Sequence, residues 1–534
     1  MPEYPLTVPM LLRRAERVFG RKAIVSRDSG PERVRLDWAA VYERVLRLME
    51  ALRSLGVGPG DRVATLAWNH HRHVELYFAV PCLGAVLHTL NARLSLQQLG
   101  SIVAHAGDSV VFADRGLGGP LERRGAGWET VREVVWMGAE TGEGTTAGFD
   151  YEDLLLGAAP REAFPDLDER AAAGLCYTSG TTGEPKGVVY SHRALVLHAM
   201  GICMRDSFGL ASDDVILPIV PMFHANAWGL VHGAALCGAS LVLPGPHLRG
   251  GALLRLIREE GVTFAAGVPT VWKLVVEAWV RAPGPAPLRT AIVGGAPVSE
   301  SLLRELDEAG IPAVQSWGMT ELTPVGTVNR LDRREAEGWN EAERLRRRTR
   351  QGRPVPGVEA RICDGEGDPL PWDGEATGEL EARGPWVATQ YFRGDPADPV
   401  FRAGGWFRTG DAASIDAGGS VFLSDRKKDL IKVGGEWLSS AQLENAVMNC
   451  PGVAEAAAVA RPDPVRGEAP VVYVVLQGEA RLSGETLRRK LLAAGWAGWQ
   501  VPKPGDFRFV ETIPRTSVGK FDKAALRAWL TEES

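Results

Sequence analysis

The sequence predicts a layered α/β protein. A large N-terminal domain of α/β subdomains with a small β-barrel is expected, followed by a small α+β domain. Three observations carry this. The chain has 534 residues, too many to share one hydrophobic core. Short β-rich runs alternate with helical stretches, the pattern of sheets covered by helices. After Asp425 the composition turns to a lysine-rich segment and then a tail of about a hundred residues, the size of a small domain.

Taken in order, Thr7 is expected to cap an amphipathic helix that has Pro9 in its first turn. Arg33–Leu36 reads as a strand, Trp38–Leu55 as a helix and Arg62–Ala67 as another strand. His70-His-Arg-His73 has no nearby cysteine or carboxylate ligands and reads as a surface helix start rather than a metal site. From about residue 170, strands are expected at Leu175–Tyr177, Val215–Val220, Ser240–Leu243, Phe264–Ala266 and Ala291–Val293. Helices at Leu253–Glu260 and Val271–Arg281 lie between them. Val215 to Leu248 contains no Asp, Glu, Lys or Arg, and about 20 apolar residues suffice to span a membrane. Pro218, Pro221, His224, Asn226, His232 and Pro244 interrupt it, so a buried strand, loop and helix lining an internal tunnel are expected, with no transmembrane segment. Residues 330–352 are rich in arginine but interspersed with Glu335, Glu337, Glu341 and Glu343, which favours a solvated helical excursion over a nucleic-acid surface. From Ile362 short strands with Gly and Asp turns suggest the β-barrel.

With 45% hydrophobic and 24% charged residues the composition is that of a soluble globular protein, and a net charge of −6 gives no global attraction to nucleic acid or anionic membrane. The six cysteines form no C-x-x-C pair, which argues against a disulfide framework or zinc site and suits a reducing, cytoplasmic setting. The N-terminus has Glu3 and only a short apolar run, unlike a secretory signal, and the C-terminal Thr-Glu-Glu-Ser lacks a peroxisomal address.

Tyr177-Thr-Ser-Gly-Thr-Thr-Gly-Glu-Pro-Lys-Gly187 carries the chemistry. Glycines Gly180 and Gly183 let backbone N–H groups converge on an anion. Thr178, Ser179, Thr181 and Thr182 add donors, and Lys186 adds charge. This is a polyphosphate cradle. It is not a Walker loop, which sets Gly-Lys-Ser/Thr at the head of a helix; here Pro185 precedes the lysine, and Gly187 and a strand-like run follow it. Further along come Gly294-Gly295-Ala296-Pro297, Gln315-Ser-Trp-Gly-Met-Thr-Glu321, Gly405-Trp-Phe-Arg-Thr-Gly-Asp411, Lys427-Lys-Asp-Leu-Ile-Lys-Val-Gly-Gly-Glu-Trp437 and Pro514-Arg-Thr-Ser-Val-Gly-Lys520.

In this order and spacing, and over essentially the whole chain, these segments resemble the AMP-forming acyl-CoA synthetases of the adenylating superfamily, nearest to bacterial medium- and long-chain fatty acyl-CoA synthetases. The resemblance implies ATP, Mg²⁺ and CoA as the small molecules handled, and domains at 1–424 and 431–534 joined by a hinge at 425–430 that makes the C-terminal domain mobile. Asp425 matches the hinge position. Thr178 and Glu321 would hold Mg²⁺, and Lys186 and Thr320 would contact phosphate. Gly295, Ala296, Gln315, Ser316, Trp317 and Gly318 would receive the adenine. Many relatives have tyrosine where this chain has Trp317, which keeps stacking and loses a hydroxyl contact. Asp411 and Arg426 would hold the ribose, and Lys428 and Lys432 would face phosphate. Lys432 would also serve the second half-reaction, in which Gly434 and Gly435 leave room for a thiol arm and Trp437 packs on it or on the nucleotide. Lys520 would contact the α-phosphate and the substrate carboxylate.

Pro221-Met-Phe-His-Ala-Asn-Ala-Trp228 matches the family segment that borders the acyl pocket, with His224 and Ala225 near the carboxylate and Trp228 as an indole gate. No acidic residue there could receive an amino group, which speaks against an amino acid. A medium- or long-chain fatty acid is expected. Aryl or short thioether acids remain open as alternatives, as does an adenylation enzyme loading a separate carrier protein, since no carrier domain follows Lys520. A homodimer is expected by analogy.

Overall fold

The structure, a computed structural model, describes residues 4–27, 33–122, 127–138, 148–178, 185–426, 429–434, 436–478, 480–516 and 520–532. Its framework is two mostly parallel sheets. One has seven strands and includes, in spatial order, Asp108–Asp114, Arg62–Leu66, Val86–Thr89, Ala172–Tyr177 and the antiparallel edge Gly187–Ser191. The other has nine strands; Val215–Pro218, Phe264–Gly267, Thr290–Gly294 and Ala313–Gly318 lie next to one another in its centre. Thr290–Gly294 is buried along its whole length, as parallel strands covered on both faces must be. Trp38, Tyr77 and Phe78, all fully buried, belong to the main core, and Trp272 anchors a second core under the nine-stranded sheet.

Helix starts follow local chemistry. Asp37 accepts from the Ala40 N–H to cap Trp38–Ser54, and Ser191 does the same for His192–Cys203 through Ala194. The first helix, Val8–Phe19, begins after Thr7 with a proline in its first turn, but the Thr7 side chain makes no capping bond. The His70–His73 segment corrects a second expectation. It starts a helix, His71–Cys82, that is buried almost all round, so His70, His71 and His73 are inside the protein rather than on its surface. The carboxylate that meets this cluster comes from Asp114, distant in the chain, 2.7 Å from His70 Nε2.

Val215 to Leu248 forms the expected strand, turn, helix (Leu230–Cys237) and strand. The arginine-rich excursion forms two short helices, Arg333–Ala336 and Glu341–Arg348. Beyond it, five antiparallel strands from Glu359–Cys363 to Val421–Arg426 pair in an open path. The final hundred residues build a separate five-stranded sheet around Val453–Asp463 and Gly467–Leu476, with its own core of Leu443, Val447, Val472 and Leu487. Among the described residues no helix is long and apolar enough to cross a membrane.

Candidate active site

The carboxyl ends of strands from both large sheets open into one cleft of about 900 Å³, the position where open α/β sheets place their ligands. Thr178 follows the strand Ala172–Tyr177 directly. Its N–H donates to the Lys186 carbonyl (2.9 Å), and the Lys186 N–H donates to Thr178 Oγ1 (3.1 Å), so the mouth of the phosphate loop is closed by two bonds. Ser179, Gly180, Thr181, Thr182 and Gly183 lie outside the described residues. Lys186 Nζ sits 3.0 Å from Asp398 Oδ2 and 4.5 Å from the centre of the Tyr391 ring. The Tyr391 hydroxyl in turn donates to Glu321 Oε1 (2.8 Å). Burial, and then the Glu321 carboxylate, push the Tyr391 phenol well above its usual range, so it stays a donor. Sequence reasoning missed both Asp398 and Tyr391, which reach the cleft from a loop carrying none of the recognised segments.

Thr320 and Glu321 are buried in the turn after the strand Ala313–Gly318. The Thr320 carbonyl accepts from the Tyr190 hydroxyl (2.8 Å), which fixes that turn against the phosphate-loop sheet. Gly318 has no room for a side chain: a Cβ there would fall 1.9 Å from the Pro324 carbonyl oxygen. Ser316 donates to the Thr327 carbonyl (3.0 Å), and Gln315 is buried within the strand. Trp317 lines the cleft, and its indole N–H donates to Asp411 Oδ2 (2.9 Å). The indole thus supplies its own polar contact, tying the ring expected under adenine to the carboxylate expected at the ribose. Asp411 is directly opposite Arg426 in the strand register. Gly295 lines the cleft, whereas Ala296 lines a neighbouring cavity of about 130 Å³ between the two domains.

At the apolar end, His224, Ala225 and Trp228 border the same cleft. Ala225, Asn226, Ala227 and Trp228 all have positive φ (42°, 55°, 50° and 57°), a left-handed turn made without glycine. Trp228 lies over Gly294, where an added Cβ would be 3.1 Å from the indole. Burial, then the nearby charges of Lys520 and Arg93, lower the His224 pKa to about 4, so the imidazole is neutral at pH 7.

Lys520, from the C-terminal domain, lines the cleft too. Its loop is closed at the neck, the Thr516 N–H donating to the Lys520 carbonyl (2.7 Å) and the Lys520 N–H to Thr516 Oγ1 (3.2 Å). Lys432 is not among the cleft residues: it is exposed on the strand Ile431–Val433, and its N–H donates to Glu468 Oε2 (2.6 Å). Gly434 adopts φ +63° and bonds the Arg466 carbonyl (2.8 Å), and Trp437 is opposite Lys432 in the strand register. Lys428 and Gly435 lie outside the described residues. Asp425 accepts from the Ser440 N–H and hydroxyl (2.6 Å each), capping the helix Ser440–Met448 of the small domain. The structure therefore brings Thr178, Lys186, Glu321, Trp317, His224, Trp228 and Lys520 to one cleft and leaves Lys432 and Gly434 outside it.

Thr178 and Glu321 offer a hydroxyl and a carboxylate at the cleft, hard oxygen donors of the kind Mg²⁺ takes together with phosphate oxygens and water. Among the described residues no group of three or more His, Cys, Asp or Glu could hold a metal by itself.

A paired-sheet scaffold whose cleft gathers Thr178, Lys186, the buried acid Glu321 and a lysine donated by a second domain fits an adenylating enzyme. Residues 11–392 match the family model described as AMP-binding enzyme, and residues 442–520 match the AMP-binding enzyme C-terminal domain. The chain is 47% identical to a long-chain-fatty-acid–CoA ligase of Thermus thermophilus over 97% of this chain and 94% of that one. It is 41% identical to a medium-chain-fatty-acid–CoA ligase of Ectopseudomonas oleovorans (98% and 95%) and to a 3-methylmercaptopropionyl-CoA ligase of Ruegeria pomeroyi (98% and 97%). In fold it superposes on ATP-bound MatB of Rhodopseudomonas palustris with a TM-score of 0.82 at 25% identity, covering 98% of this chain and 99% of that one. The chain belongs to the AMP-binding enzyme family. Within it, it is an acid–thiol ligase of the AMP-forming acyl-CoA synthetase kind.

Proposed function

We propose that this enzyme activates a medium- or long-chain fatty acid with ATP and passes the acyl group to CoA. The observation that carries the reading is the convergence of Lys186, Glu321 and Lys520 on a cleft that His224, Ala225 and Trp228 also border. A carboxylate oxygen attacks the α-phosphorus of ATP, pyrophosphate leaves and acyl-AMP forms. The attack brings anion towards anion, so positioned positive charge supplies the acceleration. Lys186 holds the departing phosphates, Lys520 bridges the carboxylate and α-phosphate, and neutral His224 borders the reacting oxygen without adding charge. Trp317 stacks on adenine while Asp411, braced by the Trp317 indole, takes the ribose hydroxyls. Bound at Thr178 and Glu321, Mg²⁺ would neutralise pyrophosphate charge.

The second step needs different residues. The thiol sulfur attacks the acyl carbon, AMP leaves and the thiol proton is lost. With Lys520 in the cleft and Lys432 outside it, the arrangement suits adenylation; rotation about 425–430 would exchange them, with Gly434 and Gly435 admitting the thiol arm and Trp437 packing against it. A homodimer and a cytoplasmic location rest on the family resemblance, and light scattering tests the first.

A 3-methylmercaptopropionate-like thioether acid is the second reading, favoured by the similarity to that ligase. A chain-length series separates the two. Each buried methylene contributes about 0.8 kcal/mol, so kcat/KM should rise about fourfold per carbon until the tunnel is full. A maximum at a three- or four-carbon thioether or an aryl acid would overturn the fatty-acid assignment.

A further inference from the structure

The helices His192–Cys203 and Leu230–Cys237 each end on a cysteine that the adenylation chemistry does not use. The two helices pack closely: a Cβ on Gly233 would fall 2.9 Å from the Ile202 side chain, and one on Gly229 2.5 Å from the His198 ring. The Cys203 thiol reaches across to the Gly233 carbonyl, at 3.7 Å. That carbonyl is one helical turn before Cys237, and side chains on a helix lean back towards its N-terminus. The Cys237 thiol accordingly folds onto the same turn, 3.8 Å from the Ala234 carbonyl, so both thiols lie against one turn of the helix Leu230–Cys237. Both are partly exposed, whereas Cys82, Cys176, Cys363 and Cys450 are buried. The bond from Cys203 favours the Cys237 thiolate and lowers its pKa, and the thiolate is the form that attacks an oxidant.

We propose that Cys203 and Cys237 are a redox modification site for hydroperoxides, closing to a disulfide that staples the two helices together. The Cys237 sulfur takes one oxygen from the hydroperoxide, whose O–O bond breaks, giving a sulfenic acid and an alcohol or water. The Cys203 sulfur then attacks the Cys237 sulfur, the S–O bond breaks and water leaves. One two-electron oxidant is consumed, both thiol hydrogens are lost and one S–S bond forms.

The two helices that the staple would join both support the cleft wall near Trp228. The helix Leu230–Cys237 begins one residue after the left-handed turn that carries Trp228. The helix His192–Cys203 carries His198, whose Nε2 accepts from the N–H of Val325 in the cleft wall (3.3 Å). Joining the helix ends restrains both supports of the turn, so oxidation should slow long acids more than short ones. That consequence rests on the proposed acyl site; the disulfide itself does not.

The test oxidises the full-length protein with hydrogen peroxide, blocks remaining thiols with iodoacetamide and maps peptides by mass spectrometry. The expected product is a 203–237 cross-link lighter by about 2 Da and reversed by dithiothreitol. Cys203→Ser should leave Cys237 trapped as a dimedone-reactive sulfenic acid, and Cys237→Ser should give neither product. Turnover of palmitate should fall several-fold on oxidation, with butyrate affected less, and reduction should restore it. Both thiols remaining alkylatable, or over-oxidising without a cross-link, would overturn the site. A cross-link that leaves the palmitate-to-butyrate ratio unchanged would overturn its coupling to the cleft while leaving the fatty-acid assignment to its own test.

Discussion

Replacing Lys520 by alanine separates the two half-reactions most cleanly. Lys520 is the C-terminal domain's cation in the cleft, close enough to His224 to help hold that imidazole at about pKa 4, second only to burial. The same field acts on a carboxylate and an α-phosphate placed beside His224. Removing one donor aimed at developing negative charge costs about 100- to 1,000-fold in kcat, or about 2.7–4 kcal/mol. Lys520→Ala should therefore lower acid-dependent pyrophosphate–ATP exchange by that factor. Thioester formation from synthetic acyl-AMP and CoA should be unchanged, because the proposed rotation would have taken Lys520 out of the cleft by then. The His224 titration, followed by NMR, should move up from about 4 as the lysine's contribution is lost. Equal losses in both half-reactions would refute the role given to Lys520.

Trp228→Ala removes the indole packed over Gly294 and should flatten the kcat/KM ratio between palmitate and butyrate; an unchanged ratio would show that the indole does not close the tunnel. Lys273 Nζ donates across the domain boundary to the Ala454 carbonyl at 3.1 Å, and a partly exposed charged bond of this kind is worth about 1.5 kcal/mol. Lys273→Met should accordingly slow pyrophosphate exchange by up to about tenfold, leave thioester formation unaffected, and fail as a prediction if both steps change together. Five histidines are held neutral chiefly by burial, His73 and His198 at about 3 and His192, His224 and His232 at about 4. Between about pH 6.5 and 4 the unfolded chain binds more protons than the folded one, so stability falls as pH falls, by about 1.4 kcal/mol per pH unit for each proton taken up. Urea midpoints at pH 7, 6 and 5 should decline steadily, and a flat series would contradict the buried neutral histidines.

What was legible in the sequence is local chemistry. The motifs around Thr178, Lys186 and Lys520 pointed to residues that line one cleft, because each motif is continuous in the chain. Partners brought in by the fold were not legible. Asp398 and Tyr391 meet Lys186 and Glu321 across about two hundred and about seventy residues of chain. The bond from Trp317 to Asp411 reverses the simple expectation that losing a tyrosine hydroxyl loses a polar contact. Ala225–Trp228 carries no glycine to announce a left-handed turn, so packing around Trp228 must impose it. His70–His73 looked like a surface cluster because Asp114, its carboxylate partner, is distant in the chain. The Asp425 cap on the Ser440 helix depends in the same way on a contact made only once the small domain has folded.

We propose that one cleft first adenylates a fatty acid and then yields it to CoA. Pyrophosphate release measured with ATP and Mg²⁺ across a panel of carboxylic acids, with and without CoA, tests it most directly. No release is expected without acid, about one equivalent per site with a fatty acid alone, and sustained turnover only when CoA is added. Release indifferent to every acid, or sustained turnover that does not need CoA, would contradict it.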